Sequence, residues 1–227
     1  MIDSNNFKLK NIGKINVPRE TYIELEDYSN EVILNNKTIN LISKSTEKSI
    51  KYRHIEDSIQ TIEYIDKNDI SVCTDIGSGA GFPGIVLGIT MKIKKPPLKI
   101  ILYEKSYPKS LFLLNMSKKF NLNLEIQQKN IFNEKNLVTD VIISRAFKPL
   151  PVIFDIAQKN FKSFKYIIGF LGASGKKILN EVLKIWEFDY EEKKSLTNEG
   201  STIIKISNLK KKKWIKRLFQ SSIKRAG

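Results

Sequence analysis

The sequence predicts an α/β protein, a seven-stranded, mainly parallel, Rossmann-like sheet with an N-terminal helical cap. From Val72 onward, short apolar runs alternate with helix-length segments, the pattern that parallel strands joined by crossover helices produce. At the start of that pattern, Asp75-Ile76-Gly77-Ser78-Gly79-Ala80-Gly81-Phe82-Pro83-Gly84 places four glycines within eight residues, between Val72-Cys73-Thr74 and Ile85-Val86-Leu87. That is a strand, a glycine loop and a helix. Ahead of it, residues 18–65 carry apolar side chains at helical spacing.

In chain order, residues 1–18 show no periodicity and read as an arm. Tyr22, Leu25, Tyr28, Val32 and Ile33 predict an amphipathic helix from Pro18-Arg19-Glu20 to about Asn35-Asn36. Ser45 and Thr46 are candidate N-caps for a second helix carrying Ile50, Ile55, Ile59, Ile62 and Ile65. The first strand starts at Val72, and Pro83 suits the first turn of the helix after the loop. Residues 98–103 read as strand two, with a helix from Pro108 behind it. Residues 124–127 and 140–144 read as strands three and four. Pro149 and Pro151 frame a helix to Phe161, residues 166–170 give strand five, and a helix runs from Gly175 to about Trp186. Residues 188–192 and 201–206, joined by the polar turn Thr197-Asn198-Glu199-Gly200, predict an antiparallel pair at one edge. The expected organisation is an arm and helical cap over 1–70, a sheet domain over 71–207 and a basic tail over 208–227.

The chain has 227 residues, 41% of them hydrophobic, enough for a real core. No stretch reads as a signal peptide or is apolar enough to span a bilayer, and the single cysteine, Cys73, lies in the first strand, so a cytoplasmic protein without membrane partner or internal disulfide is expected. A net charge of +15 favours a polyanionic partner such as nucleic acid. The richness in Lys, Ile and Asn also fits an AT-rich genome, which discounts part of that charge. The tail alternates basic residues, Lys212 and Lys213 among them, with Trp214, Ile215, Leu218 and Phe219. Such a stretch suits RNA phosphates, an anionic surface or packing on its own domain.

Glycines in a loop of this kind admit positive φ and leave no Cβ between backbone and ligand, and the following helix offers unpaired N–H groups. Gly79-x-Gly81-x-x-Gly84 matches a dinucleotide fingerprint, whereas Asp75-x-Gly77-x-Gly79-x-Gly81 is the form familiar from S-adenosylmethionine (SAM) methyltransferases; the loop alone does not choose. Glu104 closes strand two about twenty residues after the loop, where an acid accepts bonds from ribose hydroxyls. Asp75 supports either the loop or a ligand's ammonium. Arg145, in Ser144-Arg145-Ala146-Phe147 after strand four, could hold a carboxylate or a phosphate. His54, the sole histidine, reads best as a structural residue. No cluster has metal-ligand spacing, so no metal is expected.

Taken together, Asn40-Leu41, Arg53-His54-x-x-Asp57-Ser58, the Asp75–Gly84 loop and Ser144-Arg145-Ala146-Phe147 resemble the 16S ribosomal RNA guanine-N7 methyltransferases of the RsmG/GidB type, from about Ile33 to Ile206. The resemblance implies a SAM-methyltransferase sheet, SAM as cofactor, and 16S ribosomal RNA or the 30S subunit as partner of a monomeric enzyme. Carried over residue by residue, it implies SAM contacts from Asp75, Gly77, Ser78, Gly79, Gly81, Phe82, Glu104, Asn130, Ile131 and Arg145. It implies RNA contacts from Arg53, His54 and Lys129, to which the tail adds Lys212 and Lys213. No catalytic residue is firmly assigned, with Arg145 and His54 as candidates. Lys129 stands where many members have arginine, Pro108-Lys109 replaces a basic pair, and Phe170-Leu171-Gly172 replaces a Lys-Gly pair. The competing readings are an NAD-dependent oxidoreductase using the same loop and a non-catalytic RNA-binding or ribosome-assembly module.

Overall fold

The computed structural model describes residues 9–12, 15–95 and 97–212. Leu9–Ile12 (β1) and Ile15–Pro18 (β2) form an antiparallel hairpin. Ile12 and Val17 are buried in the main core, so this part of the expected arm is packed structure. Four-residue strands alternate too briefly to show in the sequence.

Helix α1 (Arg19–Ile39) passes the expected end at Asn35-Asn36 and stops where Asn40 adopts φ +52°, a left-handed C-terminal residue. Asn36 does not break the helix because its buried amide is used: Nδ2 donates to Glu47 Oε1 at 2.6 Å and Oδ1 accepts from Ile42 N at 2.9 Å. The cap continues as a 3₁₀ turn over Lys44–Ser49, a wide π-type helix over Lys51–Glu56, and the short helices α2 (Asp57–Ile59) and α3 (Ile62–Ile65). Ser45 and Thr46 are not N-caps. They lie inside the 3₁₀ turn, which starts one residue after extended Ser43.

The sheet then follows in the expected order: β3 (Val72–Ile76), α4 (Gly84–Met91), β4 (Lys99–Tyr103), α5 (Tyr107–Lys119), β5 (Leu124–Gln127), a short β6 (Leu137–Val138), β7 (Val141–Ser144), α6 (Leu150–Asn160), a short β8 (Phe161–Ser163), β9 (Tyr166–Leu171), α7 (Gly175–Ile185), β10 (Trp186–Lys194) and β11 (Thr202–Lys211). Seven strands lie in the order β10-β11-β9-β7-β3-β4-β5; β9, β7, β3, β4 and β5 run parallel, β11 runs antiparallel to them, and the edge strand β10, antiparallel to β11, takes their direction again. The unforeseen pair β6 and β8 forms a separate two-stranded parallel sheet.

Period-two alternation sorts the strands onto two faces. Cys73, Ile100, Leu102, Val141, Ile143 and Ile168 face one core with Tyr28, Val86 and Phe112. Ile76, Tyr103, Ile142, Ile167 and Ile204 face the other with Phe154 and Leu179. β11 runs past the expected boundary at 207 to Lys211, with Leu209 buried, so the first residues assigned to a tail belong to the sheet. Lys213 and the rest of that tail lie outside the described residues. Among the described residues no helix is long and apolar enough to cross a membrane.

Candidate active site

The turn after β3 is held through its backbone N–H groups. Gly77 N and Ser78 N both donate to Tyr103 O, and Gly81 N donates to Ser78 O at 2.7 Å. Glu104 spans the turn from β4: one carboxylate oxygen accepts from Gly79 N at 2.9 Å, the other from Ser106 N at 2.8 Å. Asp75 lies beneath, 1% exposed, with Oδ2 accepting from Gly84 N at 3.0 Å. Burial pushes its pKa up to about 7 while the Gly84 bond pulls the other way. Its Oδ1 has no hydrogen-bond partner among the described residues.

The glycines do different work. Gly77, at φ +74°, has its missing side chain replaced by Phe147, whose ring comes within 2.1 Å of where a Cβ would stand. Gly79, at φ +57°, faces open space, the nearest atom to a Cβ there being Gly77 O at 3.9 Å. One glycine therefore admits a neighbouring ring, and the other leaves the space beside it open.

Opposite the loop, Arg145 leaves the end of β7 and is gripped by the cap. Its Nε donates to Asp57 Oδ2 at 3.0 Å, one terminal nitrogen to His54 Nδ1 at 2.8 Å and the other to Arg53 O at 2.5 Å. The guanidinium has five N–H groups, so two stay free. Burial lowers the Arg145 pKa and Asp57 opposes that shift. Because arginine only donates, His54 Nδ1 must be the acceptor and Nε2 carries the hydrogen, which reaches Thr46 Oγ1 at 3.0 Å. The ring stacks on Phe82 with centroids 4.9 Å apart. Burial, then the charges of Arg145 and Arg53, push its pKa down to about 3. His54 is thus neutral, with both nitrogens engaged and none left to act as a base.

Between loop and cap lies a cavity of about 640 Å³. It is lined by Gly77, Ser78, Gly79, Phe82, Glu104, Asn130, Ile131 and Arg145 of the expected cofactor residues, and by His54 and Lys129 of the expected RNA residues. Asp75 and Gly81 are outside the lining, and Arg53 borders an adjoining cavity instead. Lys212 lines neither cavity, since β11 starts at Thr202 beside the second one and carries the chain along the sheet to Lys211, and Lys213 is outside the described residues. The lining holds five cations, Lys105, Lys109, Lys129, Lys148 and Arg145, against one acid, Glu104.

Sequence reasoning missed how Arg145 is held. Asp57 Oδ1 accepts from Ser195 Oγ at 2.9 Å and Thr197 Oγ1 at 3.1 Å, and Gln60 Oε1 accepts from Leu196 N at 2.8 Å. The β10–β11 turn is thereby tied to the cap. In sequence it reads only as a polar turn, and no local signal names its partner. Phe132, 6.2 Å from Phe147 at the cavity, was equally unmarked, and Phe147 was marked only as part of the Ser144–Phe147 element, with no role.

A family model described as rRNA small subunit methyltransferase G (GidB) matches residues 21–206. A ribosomal RNA small subunit methyltransferase G of Pelagibacter ubique is 48% identical over 199 residues, 87% of this chain and 93% of that one. Its counterpart from Rickettsia felis is 38% identical over 198 residues, 86% of this chain and 97% of that one. Among solved structures, the O-methyltransferase from Bacillus cereus in complex with SAH superposes with a TM-score of 0.54 at 16% identity, over 83% of this chain and 96% of that one, a likeness of fold.

Proposed function

The chain belongs to the rRNA small subunit methyltransferase G family, and on that premise we propose that it transfers the methyl group of SAM to N7 of a guanine in 16S ribosomal RNA of the small subunit. The observation that carries this reading is a single cavity in which a glycine loop and the Glu104 carboxylate meet a basic rim. Family membership sets aside the oxidoreductase and the non-catalytic module.

The residues present fit SAM. Gly79 opens onto the cavity, α4 directs its N-terminus at the loop, and the Glu104 carboxylate, already on two backbone N–H groups, retains lone pairs for ribose hydroxyls. Asn130 and Ile131 would border the adenine. The two free N–H groups of Arg145 suit the methionine carboxylate. Asp75 supports the loop from below through Gly84.

Bound SAM supplies an electrophilic methyl: the guanine N7 lone pair forms the new C–N bond as the C–S bond breaks, its electron pair staying on sulfur and no proton moving. No general base is required, which agrees with a His54 whose nitrogens are both occupied. The protein's task is then alignment and charge. Arg145, fixed by three contacts from the cap, sets one end of the cofactor, and Glu104 the other. Lys129, Arg53 and the other basic groups draw in the RNA backbone.

The test is N7-methylguanosine mapping of 16S RNA in 30S subunits from cells lacking the gene, treated with the protein and SAM. One new N7-methylguanosine is expected; its absence with folded protein that binds SAM ends the proposal.

A further inference from the structure

The second cavity, about 260 Å³, adjoins the first: Arg145 and Ala146 line both. Phe170 and Gly172 at the end of β9 contribute one side, Asn198 and Ser201 of the β10–β11 turn another, and Arg53 of the cap a third. We propose that this cavity receives the target guanine nucleotide of the RNA, so that base and methyl donor meet at Arg145 and Ala146. The inference rests on the function proposed above and deepens it.

Place is the first argument. The cavity sits outside the carboxyl ends of β7 and β9, adjacent parallel strands, where α/β sheets bind ligands. A group transferred between two ligands must pass where their sites touch, and here the shared residues are only Arg145 and Ala146.

Charge is the second. Two arginines face the cavity against one acid, Asp57, which is already bonded to Arg145. The Arg53 guanidinium makes no ion pair among the described residues, and its charge depresses the Arg145 pKa, as two close cations must. One positive charge is left over for a phosphate. A single nucleotide meets this demand; a neutral ligand does not.

The third argument is that the walls are built in advance. The hydroxyls of Ser195 and Thr197 are both spent on Asp57, which fixes the turn. Asn198 uses its Oδ1 on Gly200 N at 3.0 Å, leaving the amide hydrogens for an acceptor such as guanine O6, and the Phe170 ring, with the Arg145 guanidinium over it at 5.7 Å from its centroid, completes the wall. A space this small admits one base and excludes a duplex, so the target must leave its stack, as it does in other enzymes that modify bases.

Gly172 provides the test, because a Cβ built there meets nothing within 4 Å and Gly172→Phe adds a ring at the cavity without a backbone clash. SAM affinity is measured by calorimetry, and kcat/KM with 30S subunits at saturating SAM. The expected result is SAM affinity within about twofold of wild type and kcat/KM lower by about thirtyfold or more. A kcat/KM nearer to wild type than that, or a parallel loss of SAM affinity, overturns the proposal. Should Gly172→Phe fail to fold, Asn198→Trp on the exposed turn is held to the same two readings. If the wild-type chain itself methylates no 30S RNA, the proposed function fails and this site with it; loss in the variants alone leaves that function standing.

Discussion

The glycine-loop wall of the cleft is held through its backbone N–H groups, on several acceptors nearer in sequence than those of the cap: Gly81 N on Ser78 O, Gly84 N on Asp75 nine residues away, Gly79 N on Glu104 twenty-five away. The cap wall is shaped by side chains that reach 88 to 140 residues along the chain, three of them, Arg145, Ser195 and Thr197, meeting on one carboxylate, Asp57. A backbone-built wall distributes its strength, so no single side chain is decisive. A wall gathered on one buried ion concentrates its strength and its vulnerability.

The sharpest way to break the comparison is Asp57→Ala. It leaves Arg145 buried without its counterion, their side chains being 15% and 11% exposed, and strands the hydroxyls of Ser195 and Thr197. Removing one partner of a buried pair costs about 3–5 kcal/mol, to be read from urea unfolding. A loss under about 1 kcal/mol would mean that the cap wall is held as diffusely as the loop.

The two walls also titrate in opposite senses. His54, with its pKa pushed down to about 3, contributes stability that is present above the unfolded value near 6.5 and is lost as pH falls toward 3. Asp75, pushed up to about 7, contributes stability that is present below about 4 and lost as pH rises toward 7. Between about pH 4 and 6.5 the two slopes oppose each other, so the wild type is expected to vary little. Asp75→Asn exposes the His54 slope, up to about 1.4 kcal/mol lost per unit below pH 6.5. His54→Gln exposes the reverse. Unfolding free energies at pH 5 and 7 decide it, and because His54 is the only histidine, its ring NMR signals are expected to stay fixed from pH 8 to 5.

On the loop wall, Glu104→Gln keeps shape and acceptor oxygen but discards the charge. SAM affinity is expected to fall about tenfold, roughly 1.4 kcal/mol, by calorimetry. The melting midpoint should move by no more than a few degrees, since one backbone bond at most is lost. Unchanged affinity would remove Glu104 from the cofactor site.

The same contrast governs what could be read from the sequence. The loop, Glu104 and the succession of strands and helices along the chain were legible because each is written in local spacing, with glycines at 77, 79, 81 and 84 and an acid at a strand end. Even there the number of glycines overstated the ligand surface, since Gly77 makes room for Phe147. The cap motif marked Arg53, His54 and Asp57 as a group, but the partner of Asp57 lies across the fold at Ser195 and Thr197, and nothing local joins residues 138 and 140 positions apart. The π-type turn that carries Arg53 and His54 was hidden for another reason: its apolar spacing is close to that of an ordinary helix.

Lys129 carries the smallest effect and separates binding from architecture. Its side chain is 54% exposed and its one ion pair, to Glu134, is 3.5 Å long, so Lys129→Ala should alter stability by no more than about 0.5 kcal/mol. It lines the cofactor cavity yet lies at the rim, where a phosphate rather than SAM would meet it, so SAM affinity should hold within about twofold. What should change is the salt dependence of RNA binding: one phosphate contact fewer lowers the slope of log K against log salt by about 1. Lys129→Arg should restore the slope, because the contact needs a charge and not the fork of a guanidinium. Filter binding across a salt series reads this directly. If the alanine variant keeps the full slope, Lys129 makes no phosphate contact, and any grip on RNA from this rim falls to Lys105, Lys109 and Lys148.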